Sequence, residues 1–386
     1  MNDMKKTSVL NGIDRIDEYF YLLDGLRIGL ITNPTGRNKE FKETADILAE
    51  KGLLKCLFSP EHGVRGGATA GAHVSDCIDE KTGVPSYSLY GASQHIKDEV
   101  LNSLDAVAFD IQDVGARFYT YISTLSYAME DCAKAGKRFI VFDRINPVGG
   151  VCAQGSVLDR RFSSFVGRYP IATRHNLTVG EFATLINETE GIGCDLTVIP
   201  VKGWKREMFY DETDLVFIPP SPNIPTVECC FAYLATCLFE GTNVSEGRGT
   251  AKPFEYIGAP WLDNEGVAEK MNALMLQGVR FRPCFFTPTA SKHANVECKG
   301  IQVHITDRRS FDPFESGLRL LDTIRKTHKE FEFIAPYSEN ANYFIDLLLG
   351  SDELRKDGFD VDKFLNAQNE ILKNYTAKIR KYYLYE

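Results

Sequence analysis

The sequence predicts an α/β protein built on a mainly parallel sheet, and three observations carry that prediction. Short apolar runs recur through the first two-thirds of the chain and read as buried strands. Between them lie segments whose apolar residues are spaced by three and four, the mark of a helix with one buried face. Strands alternating with helices in this way imply a sheet covered on both faces.

Residues 27–32 form the first strand, which ends at Asn33-Pro34-Thr35-Gly36. Residues 41–51 read as a helix closed by Gly52. A second strand at 53–58 runs directly into Ser59-Pro60-Glu61-His62-Gly63-Val64-Arg65-Gly66-Gly67. Residues 105–111 are the third strand. The helix after it carries Phe118, Ile122, Leu125, Met129 and Cys132 on one face and stops at Gly136. Residues 137–142 and 196–200 are the fourth and fifth strands. The pattern breaks at 218–225, where four prolines in eight residues exclude regular helix and leave a rigid linker or site loop. Beyond it come a helix at 227–240, a glycine loop at 241–258, strands near 279–281 and 300–306, and helices at 314–326 and 361–375. We divide the chain into 1–228 and 229–386, a length sufficient for two domains.

The net charge of −9 argues against a nucleic-acid partner, which leaves a basic footprint on the protein that binds it. No apolar run approaches a membrane span. Residues 1–6 lead into Thr, Ser, Asn and Asp rather than an apolar signal segment, so the chain reads as cytoplasmic, or as the processed form of a periplasmic or secreted protein. The ten cysteines are scattered, without C-x-x-C or zinc spacing, and read as reduced structural thiols. The histidines show no metal spacing, so no metal is expected. Residues 241–250 lack the order of a phosphate loop and the chain lacks G-x-G-x-x-G, so no nucleotide, nicotinamide or flavin cofactor is expected.

Polar residues gather where strands end, the edge at which open α/β sheets place their ligands. Glu61 and His62 can each supply the positioned acid or base that proton transfer needs. Arg65 is the paired alternative for Glu61, and the surrounding glycines permit close approach of a ligand. Asp110 ends the third strand, with Gln112, Asp113 and Arg117 beyond it. Arg117 and Tyr121 stand four apart, on one helical face away from the apolar stripe, suited to a carboxylate and a sugar ring. Asp143 and Arg144 follow the fourth strand, and Asn223 lies in the proline segment. His175 precedes a Thr178–Glu181 capping box, which makes Glu181 a cap. Glu246 and Arg248 sit between glycines in a shaped contact loop.

Seven stretches together resemble the exo-β-N-acetylmuramidase family NamZ, formerly a family of unknown function: SPEHGVRGG (59–67), DIQDVGARFYTYISTL (110–125), FDRINPVGG (142–150), SFVGRYPIATRH (164–175), PPSPNIPT (219–226), EGTNVSEGRGTAKPFEYIGAP (240–260) and FRPCFFTPTASKH (281–293). The resemblance spans about residues 27–350. It implies a Rossmann-like N-terminal domain and a smaller α+β C-terminal domain that closes a cleft. It also implies hydrolytic release of N-acetylmuramic acid from the non-reducing end of peptidoglycan fragments, with Glu61 as catalytic carboxylate and His62 beside it. Such a sugar carries a lactyl carboxylate, for which Arg65, Arg117 and Arg248 are the candidate partners. Glu246 and Asp110 are candidates for a second catalytic group. The chain departs from the family at Ile145, where relatives carry proline, and at Asn176, where they carry glycine. The alternative reading is a non-catalytic binding protein for cell-wall amino sugars, which the same cleft and arginines would serve.

Overall fold

The structure is a computed structural model that describes residues 6–61, 63–65, 76–91, 93–339 and 341–386. In chain order the strands are β1 (Ile28–Thr32), β2 (Leu54–Ser59), β3 (Cys77–Ile78), β4 (Pro85–Ser88), β5 (Ala106–Asp110), β6 (Arg138–Phe142), β7 (Gln154–Val157), β8 (Ala172–Arg174), β9 (Asp195–Ile199), β10 (Tyr256–Ala259), β11 (Val279–Phe286) and β12 (Cys298–Ile305). The α-helices are α1 (Thr44–Glu50), α2 (Asp98–Asn102), α3 (Tyr121–Ala135), α4 (Val179–Thr189), α5 (Val227–Thr236), α6 (Asn264–Ala273), α7 (Pro313–Thr327), α8 (Phe344–Leu349) and α9 (Val361–Ile379).

The main sheet has the order β3-β4-β2-β1-β5-β6-β9, and every pair in it is parallel except β3 with β4. Its central strands are buried on both faces, which is why they read as continuous apolar runs. Successive residues still part to opposite sides. Val107 and Phe109 join α3 and α4 in one core, while Ala106 and Ala108 join α1 and the turns around Ile13 and Leu23 in another. The first of these cores is continuous with the second half of the molecule, taking in Phe281, Leu318 and Ile345.

That second half holds a smaller antiparallel sheet, β10-β12-β11, with α6 against it and α5 packed on α7. The α5–α7 crossing is tight, because a Cβ on Gly317 would overlap the Ala235 carbonyl oxygen. The chain then returns to the first half. Tyr375 and Tyr385 donate hydroxyl bonds to the His175 carbonyl (3.0 Å) and to Asp143 (2.5 Å).

Several boundaries differ from the sequence reading for physical reasons. Phe41 has a left-handed backbone (φ 65°) and its N–H bonds to the Asn38 carbonyl, so it turns the chain and α1 starts at Thr44. The helix predicted to reach residue 240 stops at Thr236 and tightens into a 3-10 turn over Cys237–Gly241. Strands β3, β4, β7, β8 and β10 were not anticipated, and β10 starts inside the segment read as a glycine loop; each has four residues or fewer. Arg117 and Tyr121 do not share a helical face, since α3 begins only at Tyr121 and both side chains point into buried surroundings.

Candidate active site

In a sheet of this order the crevice opens between β1 and β5, where the chain switches sides. Here that crevice is filled. Asp110 accepts two bonds from Arg144 (2.5 and 3.0 Å) and one from the Thr44 hydroxyl. Gln112 donates to the carbonyls of Asp113 and Ile145, and its own N–H bonds to Thr35. The remaining gap beside Thr35, Gln112 and Arg144 is about 20 Å³, room for little more than one water.

Asp143 is consumed in the same way. It accepts from the N–H of Arg144 and of Gly180, from the Thr178 hydroxyl and from Tyr385. Burial pushes its carboxyl up to about 6 against these bonds. A side chain on Gly180 would bring a Cβ within 2.8 Å of the Asp143 carboxylate, so only glycine lets α4 start there. Asp113 caps the N–H of Gly115 (2.7 Å) and meets His175 Nε2 at 3.2 Å. The Leu177 N–H bonds to His175 Nδ1, which places the ring proton on Nε2, facing Asp113. Asn176 then takes the left-handed region (φ 51°), which suits asparagine nearly as well as glycine. Arg117 donates to the carbonyls of Ser156 (2.5 Å), Ile171 (3.1 Å) and Leu348 (2.7 Å), so its guanidinium ties the two halves together.

The cavity that remains lies beside the end of β2. It measures about 260 Å³ and is lined by Glu61, Tyr121, Asn223 and Arg248 among the residues singled out from the sequence. Tyr90, Tyr119, Tyr233, Phe165 and Phe344 add aromatic walls, and Glu240 adds a second carboxylate. The proline loop forms its roof: the Pro220 carbonyl accepts from Asn33 Nδ2 (3.1 Å) and from the Tyr121 hydroxyl (2.9 Å). Glu61 is half-buried in the turn after β2, next to Tyr90. Burial first, then the Glu61 charge and a hydrogen bond to it, raise the Tyr90 phenol. The Tyr119 hydroxyl is buried on the cavity wall without an aligned hydrogen bond among the described residues.

Arg248 donates from Nε and Nη2 to Glu240 Oε1 (3.0 and 2.5 Å) and lies 3.4 Å from Glu246. Glu246 is almost fully buried behind this pair and forms an ion pair with Lys292 at 2.8 Å, off the axis of a hydrogen bond. It does not line the cavity, nor do Asp110, Asp113, Arg117, Asp143, His175 and Arg65. His62 lies outside the described residues, as do Gly66 and Gly67. A wider open groove of about 1130 Å³ runs along α9 past Arg206 and Tyr383, but neither Glu61 nor Glu240 reaches it.

Arg65 works from outside the cavity. Its guanidinium bonds both oxygens of Asp79 (2.9 and 2.7 Å) and approaches Glu43 and Asp46, which pins the turn that carries Glu61. The Arg65 bonds hold the Asp79 carboxyl well below the usual carboxylate range. A carboxyl held low in the folded state stabilises the fold above its unfolded value of about 3.9 and loses that contribution as pH falls. Asp79→Asn is therefore expected to lower stability at neutral pH by about 1 kcal/mol or less, because solvent screens the pair. Denaturant titrations should show the gap to wild type closing below about pH 4; a gap that stays constant there would assign the loss to shape rather than charge.

The comparisons with known proteins match this architecture. The models for the N-terminal and C-terminal parts of the exo-β-N-acetylmuramidase NamZ match residues 28–228 and 231–385. The chain is 47% identical over 388 residues to the peptidoglycan β-N-acetylmuramidase NamZ of Bacillus subtilis (strain 168), covering 99% of this chain and 92% of that protein. The chain belongs to the NamZ family. As a NamZ protein it is a glycosidase. Two crystal structures of DUF1343 family proteins from Bacteroides fragilis NCTC 9343 share the fold. One has a TM-score of 0.88 at 35% identity, the other 0.78 at 30%, each covering 98% of this chain and 99% of its own.

Within the NamZ fold, the cavity-lining residues that the sequence reading did not single out include Glu240, Tyr90, Tyr119, Tyr233, Phe165 and Phe344. Glu240 is the first residue of the long motif 240–260, and that position was its only signal. Among the described residues no group of three His, Cys, Asp or Glu side chains is arranged to hold a metal ion, and no helix is long and apolar enough to cross a membrane.

Proposed function

We propose that the chain is an exo-acting β-N-acetylmuramidase that removes N-acetylmuramic acid from the non-reducing end of peptidoglycan fragments, with Glu61 as general acid/base. The observation that carries this reading is the cavity itself: Glu61 stands on the wall of a 260 Å³ chamber lined with aromatic rings. Ligand pockets for drug-sized molecules span roughly 300–1,000 Å³, so a chamber of this size suits one terminal sugar ring rather than a glycan passing through. Aromatic walls suit the apolar face of a sugar, and the Tyr119 hydroxyl adds a polar group beside Ser221 and Tyr121.

Arg248 is the one guanidinium on the cavity wall among the described residues, which favours it over Arg65 and Arg117 as the partner of the lactyl carboxylate. We assign Glu246 and Lys292 to holding Arg248 from behind. Asp110, Asp143, Asp113, His175 and Arg117 are assigned to the scaffold by their internal bonds. Residues 1–228 then form the catalytic half. Residues 229–386 close the cleft, contributing Tyr233, Glu240, Arg248 and Phe344.

A chromogenic N-acetylmuramic acid glycoside tests the reading. Release of the chromophore is expected, with the matching N-acetylglucosaminide turned over about 100-fold more slowly or worse, because it leaves the site's charged group without its partner. Binding of free N-acetylmuramic acid without release from any glycoside would replace the enzyme with a binding protein.

A further inference from the structure

The charges around Arg248 balance before any substrate arrives. Glu240 and Glu246 carry two negative charges, Arg248 and Lys292 two positive ones, and all four are in contact. Lys292 also donates to the carbonyls of Phe239 (2.7 Å) and Thr242 (2.9 Å), so it is committed to the loop. Among the described residues, the other titratable groups facing this cluster are Tyr233, Cys229 and Cys237 from the α5 side, and Glu61, Tyr90, Tyr119 and Tyr121 across the cavity. None of these adds a positive charge.

A substrate carboxylate entering this cavity therefore leaves one negative charge unmatched. An uncompensated buried charge is strongly unfavourable, and taking up a proton is the cheaper outcome. The two glutamates are not equivalent. Glu246 keeps Lys292 whatever happens at Arg248. Among the described residues the direct contacts of Glu240 with a cation run to Arg248, the group the substrate would claim, and Lys292 acts on it only from a longer range. Both of those bonds end on Oε1, and Glu240 lines the cavity that a ligand would enter. Burial already raises the Glu240 carboxyl above the ordinary range.

We propose that the carboxylate of the bound sugar displaces Glu240 from Arg248, and that Glu240 takes up one proton from solvent as it is displaced. This rests on the reading that the site accepts N-acetylmuramic acid. The balance is simple: one carboxylate enters, one proton follows, and the cavity keeps its net charge. Glu240 changes from an acceptor on Arg248 into a hydrogen-bond donor beside the sugar. A sugar without the carboxylate leaves the Glu240–Arg248 pair intact and meets an anion instead. Glu240 is in this sense a specificity residue, acting through the charge state it adopts.

Calorimetric titration of N-acetylmuramic acid into the full chain, near pH 7, in two buffers of different ionisation enthalpy, measures the proton directly. Uptake of about one proton per sugar is expected in wild type and none in Glu240→Gln. The inhibition constant of the same sugar against the chromogenic glycoside should rise about tenfold per pH unit as Glu240 becomes costlier to protonate. The Michaelis constant for the N-acetylglucosaminide on wild type, which needs no variant, should stay flat over that range. Zero uptake with measurable binding, or uptake that persists in Glu240→Gln, overturns the proposal while the muramidase reading stands. Absence of both turnover and binding of the muramic acid compounds removes the reading and the proposal together.

Discussion

Glu61→Gln is expected to lower kcat on the muramic acid glycoside by about 10²–10⁴-fold, the usual contribution of a positioned acid or base. The substitution keeps the shape of the side chain and its place in the turn after β2. What it removes is the acidic proton of the carboxyl group. The glycosidic oxygen must be protonated as the bond to the anomeric carbon breaks, and an amide cannot deliver that proton. Because the cavity wall is otherwise unchanged, the Michaelis constant should hold while kcat falls, the pattern of an interaction made in the transition state. Tyr90 offers a second check, since its phenol is influenced by the Glu61 charge and hydrogen bond. Its ionisation, followed by ultraviolet difference absorbance, should move to lower pH in the variant. Full activity in Glu61→Gln would remove Glu61 from the mechanism and leave the family membership untouched.

The scaffold was legible where burial writes itself into composition. Strands β1, β2, β5 and β6 are covered on both faces, so each appears as an apolar run of nearly correct length. The edge strand β3 and its neighbour β4 were not legible, because two to four largely uncovered residues carry no such run. The turn at Glu61 stood out because a carboxylate among glycines follows a buried strand. The fate of the other polar strand ends could not be read that way. Asp110 finds Arg144 34 residues on, and Asp143 finds Tyr385 242 residues on, and nothing local announces either partner. Residue type therefore marked an edge of the sheet without saying which groups face a cavity and which face each other. Glu240 shows the opposite failure. It ends an apolar helical run and reads as part of a helix terminus, yet the 3-10 turn that replaces the last helical residues places it on the cavity wall. Tyr119 and Tyr233 were hidden for a related reason: aromatic residues near a helical stripe look like core, and these two are both core and cavity wall.

Arg144→Met is expected to destabilise the fold by about 3–5 kcal/mol, the cost of leaving a buried charge without its partner. Asp110 is fully buried at the end of the central strand β5, and among the described residues Arg144 supplies two of its three side-chain bonds. The same guanidinium donates to the Arg37 carbonyl at 2.8 Å, so the loop after β1 loses an anchor as well. Met fills a similar volume, which separates lost charge pairing from lost packing. Adding Asp110→Asn to Arg144→Met should recover part of the loss, because an amide needs no counter-charge; residues in direct contact commonly couple by about 0.5–3 kcal/mol. Denaturant midpoints of the four chains in this cycle give that coupling directly. The same variants decide what these residues are for. Arg144 borders the 20 Å³ gap at the switch between β1 and β5, where no sugar fits, and does not line the cavity that holds Glu61. Arg144→Met that remains folded should therefore keep its Michaelis constant for the muramic acid glycoside. A raised Michaelis constant with unchanged stability would return Asp110 and Arg144 to the substrate and reopen the crevice that this fold has closed.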